Sequence, residues 1–442
     1  MRSVSPSHTR PIWAEISASR LVANYRALQA AAGPQVEMLA VIKANAYGHG
    51  ATECAPILAA AGAKWLGVTS VEEGVAVRQS LGILPQGMPQ PRLLVMCSLW
   101  FGEEAKVLDY ALTPVVWETY HLDLLEVEAK RRGLPARSLA VHVEIDTGMS
   151  RQGVAPGALL EQLLSRFTKD SPLLLEGVMT HLASTEVVDD PQNPSQMERF
   201  AEALDEMASA GLKPTYIHAG NTSSSDSGFI REALPALAEK FGAQALSRSG
   251  LALYGYTLAL DLVGGIPPIE LVPAEDGEQY GTIITHVPRM YVQGNLQPVL
   301  TWKTRVVSLR DIQPGQTVGY NATYTAKERM RLALLPVGYA DGFRRALSGS
   351  NHECGGYVLV YGQMAPIIGR VSMDLTVVDI SDIPDVVIGD EVVLIGEQET
   401  RPDEPGPTWE FVSAEMHADA ANTSVYEVLC GISDRVPRVV VE

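Results

Sequence analysis

No apolar run in the sequence approaches the roughly 18 residues that a membrane-spanning helix needs, so no segment is expected to cross a bilayer. The N-terminal stretch MRSVSPSHTRPIW has two arginines but lacks the apolar centre of a secretory signal. Basic residues are outnumbered and nowhere clustered. The balance of 34 Lys and Arg against 52 Asp and Glu gives 34 − 52 = −18, which argues against nucleic acid or an anionic lipid surface as a partner. Cysteine is scarce. Cys54, Cys97, Cys354 and Cys430 stand far apart, with no CxxC and no metal-ligand spacing. They read as buried or idle thiols, and no metal is expected. A soluble, cytoplasmic protein fits these absences.

The chain has 442 residues, 46% of them hydrophobic, enough for a large core and two domains. Short apolar runs alternate with amphipathic stretches from residue 37 to about 250. Strands are predicted at 37–43, 65–70, 92–97, 112–117, 138–146, 173–181, 215–220 and 244–249. Between them ATECAPILAAAG, SVEEGVAVRQSLG and QMERFAEALDEMASAG carry apolar residues three or four apart, as helices do. Eight such alternations predict a parallel sheet closed into a (β/α)₈ barrel, placed at 12–265. From 266 to 442 a mostly β domain is predicted, with VLTWKTRVVSL, MRLALLPVGY, YVLVYG, IIGRVSMDLTVVDI, EVVLIGE and RVPRVVVE as strands and one helix near 408–421. Residues 256–295, rich in Gly and Pro, read as linker or insertion.

In such a barrel, chemistry sits at the C-terminal ends of the strands. Strand one ends at Lys43, in VIKANAYGHG. Strand five runs into DTGMSRQG with Arg151, and strand six ends at His181. Strand seven leads to Asn221 and Thr222, and strand eight carries Arg248, then Gly250. The loops after strands seven and eight are where barrels often bind phosphate, and here they are made of small residues. A rim lysine, an arginine and a phosphate cradle suggest pyridoxal phosphate held covalently by Lys43. Each residue alone also has a plainer reading. Lys43 could be a surface lysine, the arginines could be ion-paired, and the tyrosines could be packed aromatics. His49 and His218 are read as ordinary structural histidines.

Taken together, VIKANAYGHG, DTGMSRQG, MTHLASTE, HAGNTS, RSGLALYG, VGYNATYTA, PVGYADGFRRALS, GRVSMD and VYEVLCGISDRVPR, in this order, resemble the alanine racemase family. The resemblance implies a homodimer with shared active sites and pyridoxal 5'-phosphate as cofactor. It implies L- and D-alanine as substrates, and D-alanine supply for bacterial cell walls as the purpose. Lys43 resembles the lysine that holds the cofactor and works on one face of the substrate. Tyr320 resembles the tyrosine that reaches the other face from the partner subunit. Arg248 resembles the arginine facing the pyridine nitrogen, with His181 and Asn221 beside the cofactor. Tyr47, Thr222, Gly250, Leu251 and Tyr426 resemble the phosphate-binding set. Arg151 and Met373 resemble the substrate-carboxylate site, Tyr339 the substrate entrance, and Asp374 a supporting residue behind them.

The sequence departs from the family pattern in places. Glu144 stands seven residues before Arg151, where many members have a lysine, often carbamylated. The glutamate is read as supplying that negative charge directly, as an anchor for Arg151. Ser372 and Thr222 replace the more usual Cys and Ser. The stretches from Asn221 to Arg248 and from Gly255 to 298 are long for the family. The motifs also leave open a racemase for serine, or one of broader specificity.

Overall fold

The alternating apolar runs form the barrel. The computed structural model describes residues 9–83, 89–264, 270–271, 283–284, 290–292, 294–401 and 409–442. After a first strand, β1 (Ile12–Ser17), come β2 (Val36–Val41), β3 (Trp65–Val68), β4 (Arg92–Val95) and β5 (Leu112–Val116). They are followed by β6 (Leu139–Glu144), β7 (Leu173–Met179), β8 (Tyr216–Ala219) and β9 (Gln244–Ser249). β2 to β9 are parallel and closed, with β9 pairing back onto β2 through Leu39↔Arg248 and Ala40↔Ser249. β3 and β5 are buried at every position, as parallel strands covered on both faces must be. The helices between them start and stop where local chemistry dictates. Val71–Ser80 is capped by Ser70 Oγ, which accepts from Glu73 N at 3.1 Å, while the Glu73 carboxylate accepts from Thr69 N at 2.8 Å. The long gap before Arg248 holds the helix Phe229–Lys240.

The β-rich unit is not continuous in sequence. It takes the chain up to Arg20, then Ala44–Cys54, then everything from Pro298 onward, while the barrel unit takes Leu21–Lys43 and Ala55–Gln297. β1, placed with the barrel by sequence position, lies instead in the main sheet of the β-rich unit. It runs antiparallel to Leu300–Arg305 and parallel to Arg438–Val441. The physical reason is its pattern: IWAEIS alternates buried and half-buried residues, which suits a sheet covered on one face rather than a barrel core. The sheet continues through Glu391–Glu399, Tyr357–Val360 and Gln363–Pro366. A separate three-stranded sheet joins Ser308–Ile312, Met330–Leu335 and Thr376–Asp379. VLTWKTRVVSL is thus two strands, and only the end of IIGRVSMDLTVVDI is regular. The helix expected near 408–421 is Ala414–Ala420, preceded by the strand Trp409–Val412. The 265/266 boundary and most of 256–295 lie outside the described residues.

One backbone feature was invisible in the sequence. After β2 the chain takes a left-handed turn through Ala44, Asn45, Ala46 and Tyr47, with φ of 51°, 54°, 55° and 52°. A left-handed L-residue costs roughly 1–2 kcal/mol, so this segment is strained and must be held by its surroundings. Gly48 N donates to Ala44 O at 3.1 Å and Gly50 N to Asn45 O at 2.9 Å. Asn45 Oδ1 caps the following helix by accepting from Ala51 N at 2.8 Å. Buried His49 donates through Nδ1 to the Ala46 and Tyr47 carbonyls, each at 3.1 Å. Gly48 is there because a Cβ would stand 2.0 Å from Leu429 O. Ala44 is exposed, so Ala44→Gly should relieve strain and leave no cavity. We expect a gain of about 0.5–1 kcal/mol in chemical denaturation, once glycine's greater unfolded-state freedom is set against the strain. A loss of stability would show that Cβ packing outweighs the backbone term.

Candidate active site

The barrel strands bring most of the expected rim residues to one end. Lys43 follows β2 by one residue, Ile42, and this strand end is tied down by Ile42 N to Gly67 O at 2.8 Å and by Tyr254 Oη to Val41 O at 3.1 Å. Arg248, 4% exposed, is the electrostatic centre. Its Nη2 donates to Thr180 O at 2.8 Å and to His181 Nδ1 at 3.1 Å, and its Nη1 donates to His218 Nδ1 at 3.3 Å. Among the described residues no carboxylate hydrogen-bonds to it. Burial first, opposed by the charge of Glu144 and assisted by that of Arg151, brings its pKa down to about 10.

A guanidinium has donors only. Both histidines therefore meet it with a bare Nδ1 and keep their proton on Nε2. His181 is pushed down to about 3, by burial first and then by Arg248, Arg151 and Lys43. It stays neutral at every physiological pH. The cation in this network is therefore Arg248, and His181 passes on its polarity without carrying charge. His218, read from sequence as merely structural, is a direct ligand of Arg248. Nothing in its local pattern marks it; only the closure of β8 onto β9 does.

Thr222 and Ser249 face each other with hydroxyls 3.3 Å apart. Thr222 Oγ1 also lies 3.4 Å from Gly250 N and 3.5 Å from Ala252 N. Leu251 opens a short 3-10 turn beside them. Asn221 is occupied as a cap: its Oδ1 accepts from Ser224 N at 3.0 Å, and its Nδ2 donates to Thr185 Oγ1 at 2.8 Å. Arg151 is exposed, and among the described residues its guanidinium makes no hydrogen bond or ion pair.

Glu144 is 2% exposed, yet its carboxylate does not bond Arg151. It accepts from Gln152 Nε2, which also donates to Met96 O at 3.1 Å. Gln152, missed in the sequence, takes the place as partner of the buried charge that was expected for its chain neighbour Arg151. Burial raises the Glu144 pKa, while Gln152, Arg248 and Arg151 pull it back. A raised carboxylate pKa means that the stability this group contributes is complete below its ordinary value and is lost as pH rises through the folded value. Glu144→Gln should therefore melt higher than wild type at pH 7, and the gain should vanish as the pH falls through 4.5. The amide oxygen can still accept from Gln152. KM for alanine should consequently rise less than the about 10- to 150-fold that loss of a direct charged bond to Arg151 would cause. A rise within that larger range would restore direct anchoring.

In the β-rich unit, Tyr47 and Tyr426 rings lie 6.0 Å apart. Burial first, then Tyr426 and Cys430, raises the Tyr47 pKa, so its phenol stays protonated. Tyr320 is 69% and Tyr339 43% exposed; with Arg345, Arg370, Val371 and Ser372 they line a cavity of about 520 Å³. The Tyr339 loop is laid onto the Met373 loop by Tyr339 N to Ser372 O and Ala340 N to Met373 O, both 3.0 Å. Gly338 permits this, since a Cβ would sit 2.2 Å from Ser372 O. Buried Asp341 braces the loop through Arg10 at 2.8 Å, and Arg435 holds Asp374 at 2.7 Å.

A closed (β/α)₈ barrel with a lysine and a buried guanidinium at one end, followed by a mostly β domain, defines a class of barrel enzyme. The chain belongs to the alanine racemase family. Residues 16–258 match the family model described as alanine racemase, N-terminal domain, and residues 299–440 the model described as alanine racemase, C-terminal domain. An alanine racemase of Halothermothrix orenii is 36% identical over 431 residues, 97% of each chain. The solved alanine racemase of Streptomyces coelicolor A3(2) is 31% identical with a TM-score of 0.75, covering 98% of both chains. An alanine racemase from Bartonella henselae, solved with covalently bound pyridoxal phosphate, shares the fold at 24% identity and a TM-score of 0.71, with 98% of this chain and 99% of that one covered. No helix among the described residues is long and apolar enough to cross a membrane.

Proposed function

We propose that this protein interconverts L- and D-alanine with pyridoxal 5'-phosphate, using two bases on opposite faces of the substrate. The observation that carries the reading is Arg248: a buried guanidinium to which no carboxylate among the described residues is bonded, in the same barrel as Lys43. Its donor-only chemistry suits an aromatic nitrogen acceptor, which it would keep unprotonated. The hydroxyls of Thr222 and Ser249, and the protonated phenol of Tyr47, suit phosphate oxygens. The residues present therefore fit the cofactor that the Bartonella henselae relative holds.

In this reading Lys43 would hold the cofactor covalently until the substrate amine displaces it, and Arg248, with His181 and Asn221, would hold its ring through the pyridine nitrogen. Thr222, Gly250, Leu251, Tyr47 and Tyr426 take the phosphate. When bound, the group supplies the electron sink that acidifies the substrate Cα–H. Arg151, with its two-pronged donor geometry, and the Met373 backbone hold the substrate carboxylate. Lys43 Nζ takes or returns the proton on one face. The Tyr320 hydroxyl, from a second copy of the chain, serves the other. Racemisation requires this opposition, and each base is the acid for the reverse direction. The exposure of Tyr320, Tyr339 and Met373, at 69%, 43% and 54%, supports a second copy covering this face.

The test is D-alanine formation from L-alanine by the cofactor-loaded protein, run beside a panel that includes L-serine. Serine turned over as well as alanine would replace this reading with a broader racemase. No racemisation of any panel member, with the cofactor shown to be bound, would end it.

A further inference from the structure

Arg248 is tied through two histidines to a carboxylate it does not touch, Glu176. His218 receives the Arg248 bond on Nδ1, so its proton sits on Nε2 and is donated to His142 Nδ1 at 2.9 Å. His142 then carries its own proton on Nε2 and donates it to Glu176 Oε2 at 3.3 Å. The guanidinium at one end and the carboxylate at the other leave no freedom in the sense of any link. Both imidazoles are fully buried, and their burial keeps them neutral. At the far end Glu176 also accepts from Arg92, whose guanidinium lies 4.4 Å over the Trp65 ring.

Two further features show that the backbone is shaped around this chain. The β6–β7 register slips between Val141 and His142: Val141 pairs with Leu175 and His142 with Gly177, leaving Glu176 as the extra residue of a bulge. A bulge re-aims the side chain it carries. At Gly177 a Cβ would stand 2.4 Å from His142 Nδ1, so only glycine leaves room for that ring. A barrel core needs neither device for packing alone.

We propose that Glu176, acting through His142 and His218, is a positioning residue for the reaction: it fixes the orientation of Arg248 by setting the sense of every hydrogen bond in the chain, while among the described residues no carboxylate is bonded to Arg248 itself. A carboxylate in contact would take up the guanidinium's donors as an ion pair. Relayed through two rings, the charge still polarises the acceptor nitrogen of His218 and leaves the remaining Arg248 donors open. The inference rests on the reading that Arg248 faces the cofactor's ring nitrogen.

The experiment uses the full-length protein as wild type, Glu176→Gln, His142→Phe and Arg248→Gln. It reads the visible spectrum with bound pyridoxal phosphate, the affinity of the cofactor-free protein for pyridoxal phosphate, the melting temperature, and kcat and KM for alanine. Glu176→Gln should shift the bound-cofactor spectrum and lower kcat by about tenfold, the lower end for a charged hydrogen bond, with KM nearly unchanged. His142→Phe, which keeps a ring in place but cuts the chain, should do the same and so serves if Glu176→Gln fails to fold. A Glu176 that only pairs with Arg92 predicts a lower melting temperature with spectrum, cofactor affinity and kcat as in wild type; that result in either variant overturns the relay. Arg248→Gln separates the two ideas. If it leaves the spectrum unchanged, the placement of Arg248 at the cofactor is wrong. If it changes the spectrum and the other two variants do not, only the relay falls.

Discussion

Tyr320→Phe should lower kcat by about 10²- to 10⁴-fold, the usual worth of a positioned acid–base group. The substitution keeps the ring and removes only the hydroxyl. Its structural cost should be small, because Tyr320 is 69% exposed in its own chain. The loss should also be asymmetric. With one face still served by Lys43, exchange of the Cα hydrogen with solvent deuterium should persist from one enantiomer and nearly stop from the other. Equal exchange from both would refute the assignment of opposite faces. Because Tyr320 is proposed to serve a neighbouring copy, mixing Lys43→Ala and Tyr320→Phe chains should restore part of the activity. A hybrid dimer has one site with both residues intact. No recovery in confirmed hybrids would mean that each chain completes its own site.

Lys43→Ala should be worse still, exceeding the roughly 10⁴-fold limit of acid–base removal alone, because it takes away a base and the covalent hold on the cofactor together. Borohydride treatment of the wild type followed by peptide mapping should find the cofactor on the peptide that contains Lys43. Cofactor fixed to any other lysine would displace Lys43 from its role.

Much of this was legible in the residues, and the rest failed for identifiable reasons. All eight barrel strands were readable because parallel strands buried on both faces are nearly continuous apolar runs. Lys43, Arg248 and the Thr222 loop were readable as strand ends. β1 was misplaced because neighbours in sequence are usually neighbours in space, and here the partner strands lie at 300–305 and 438–441. KANAY contains no glycine and is made largely of good helix formers, so nothing local announces a left-handed path; tertiary contacts impose it. Glu144 was found for its charge, but its bonding partner depended on where the Gln152 amide points. His142, His218 and Glu176 share no motif. Their link exists only through strand register and one bulge.

The placement of β1 also bears on how the chain is made. On a ribosome, Ile12–Ser17 emerges well before both of its partner strands, Leu300–Arg305 and Arg438–Val441. At about 5–20 residues per second, Arg438–Val441 follows roughly 20 to 85 seconds behind. Until Leu300–Arg305 is made both hydrogen-bonding edges of IWAEIS wait without their native partners, and the edge that pairs with Arg438–Val441 waits for the whole interval, a configuration open to wrong pairing with other chains. Each barrel strand pairs with the next in sequence, and only β2 has an edge that waits, until β9 closes the barrel. Newly made protein should therefore be exposed to aggregation through Ile12–Ser17 until Arg438–Val441 is made, and a chaperone that shields an early extended segment should raise the yield more than one that acts on the finished chain.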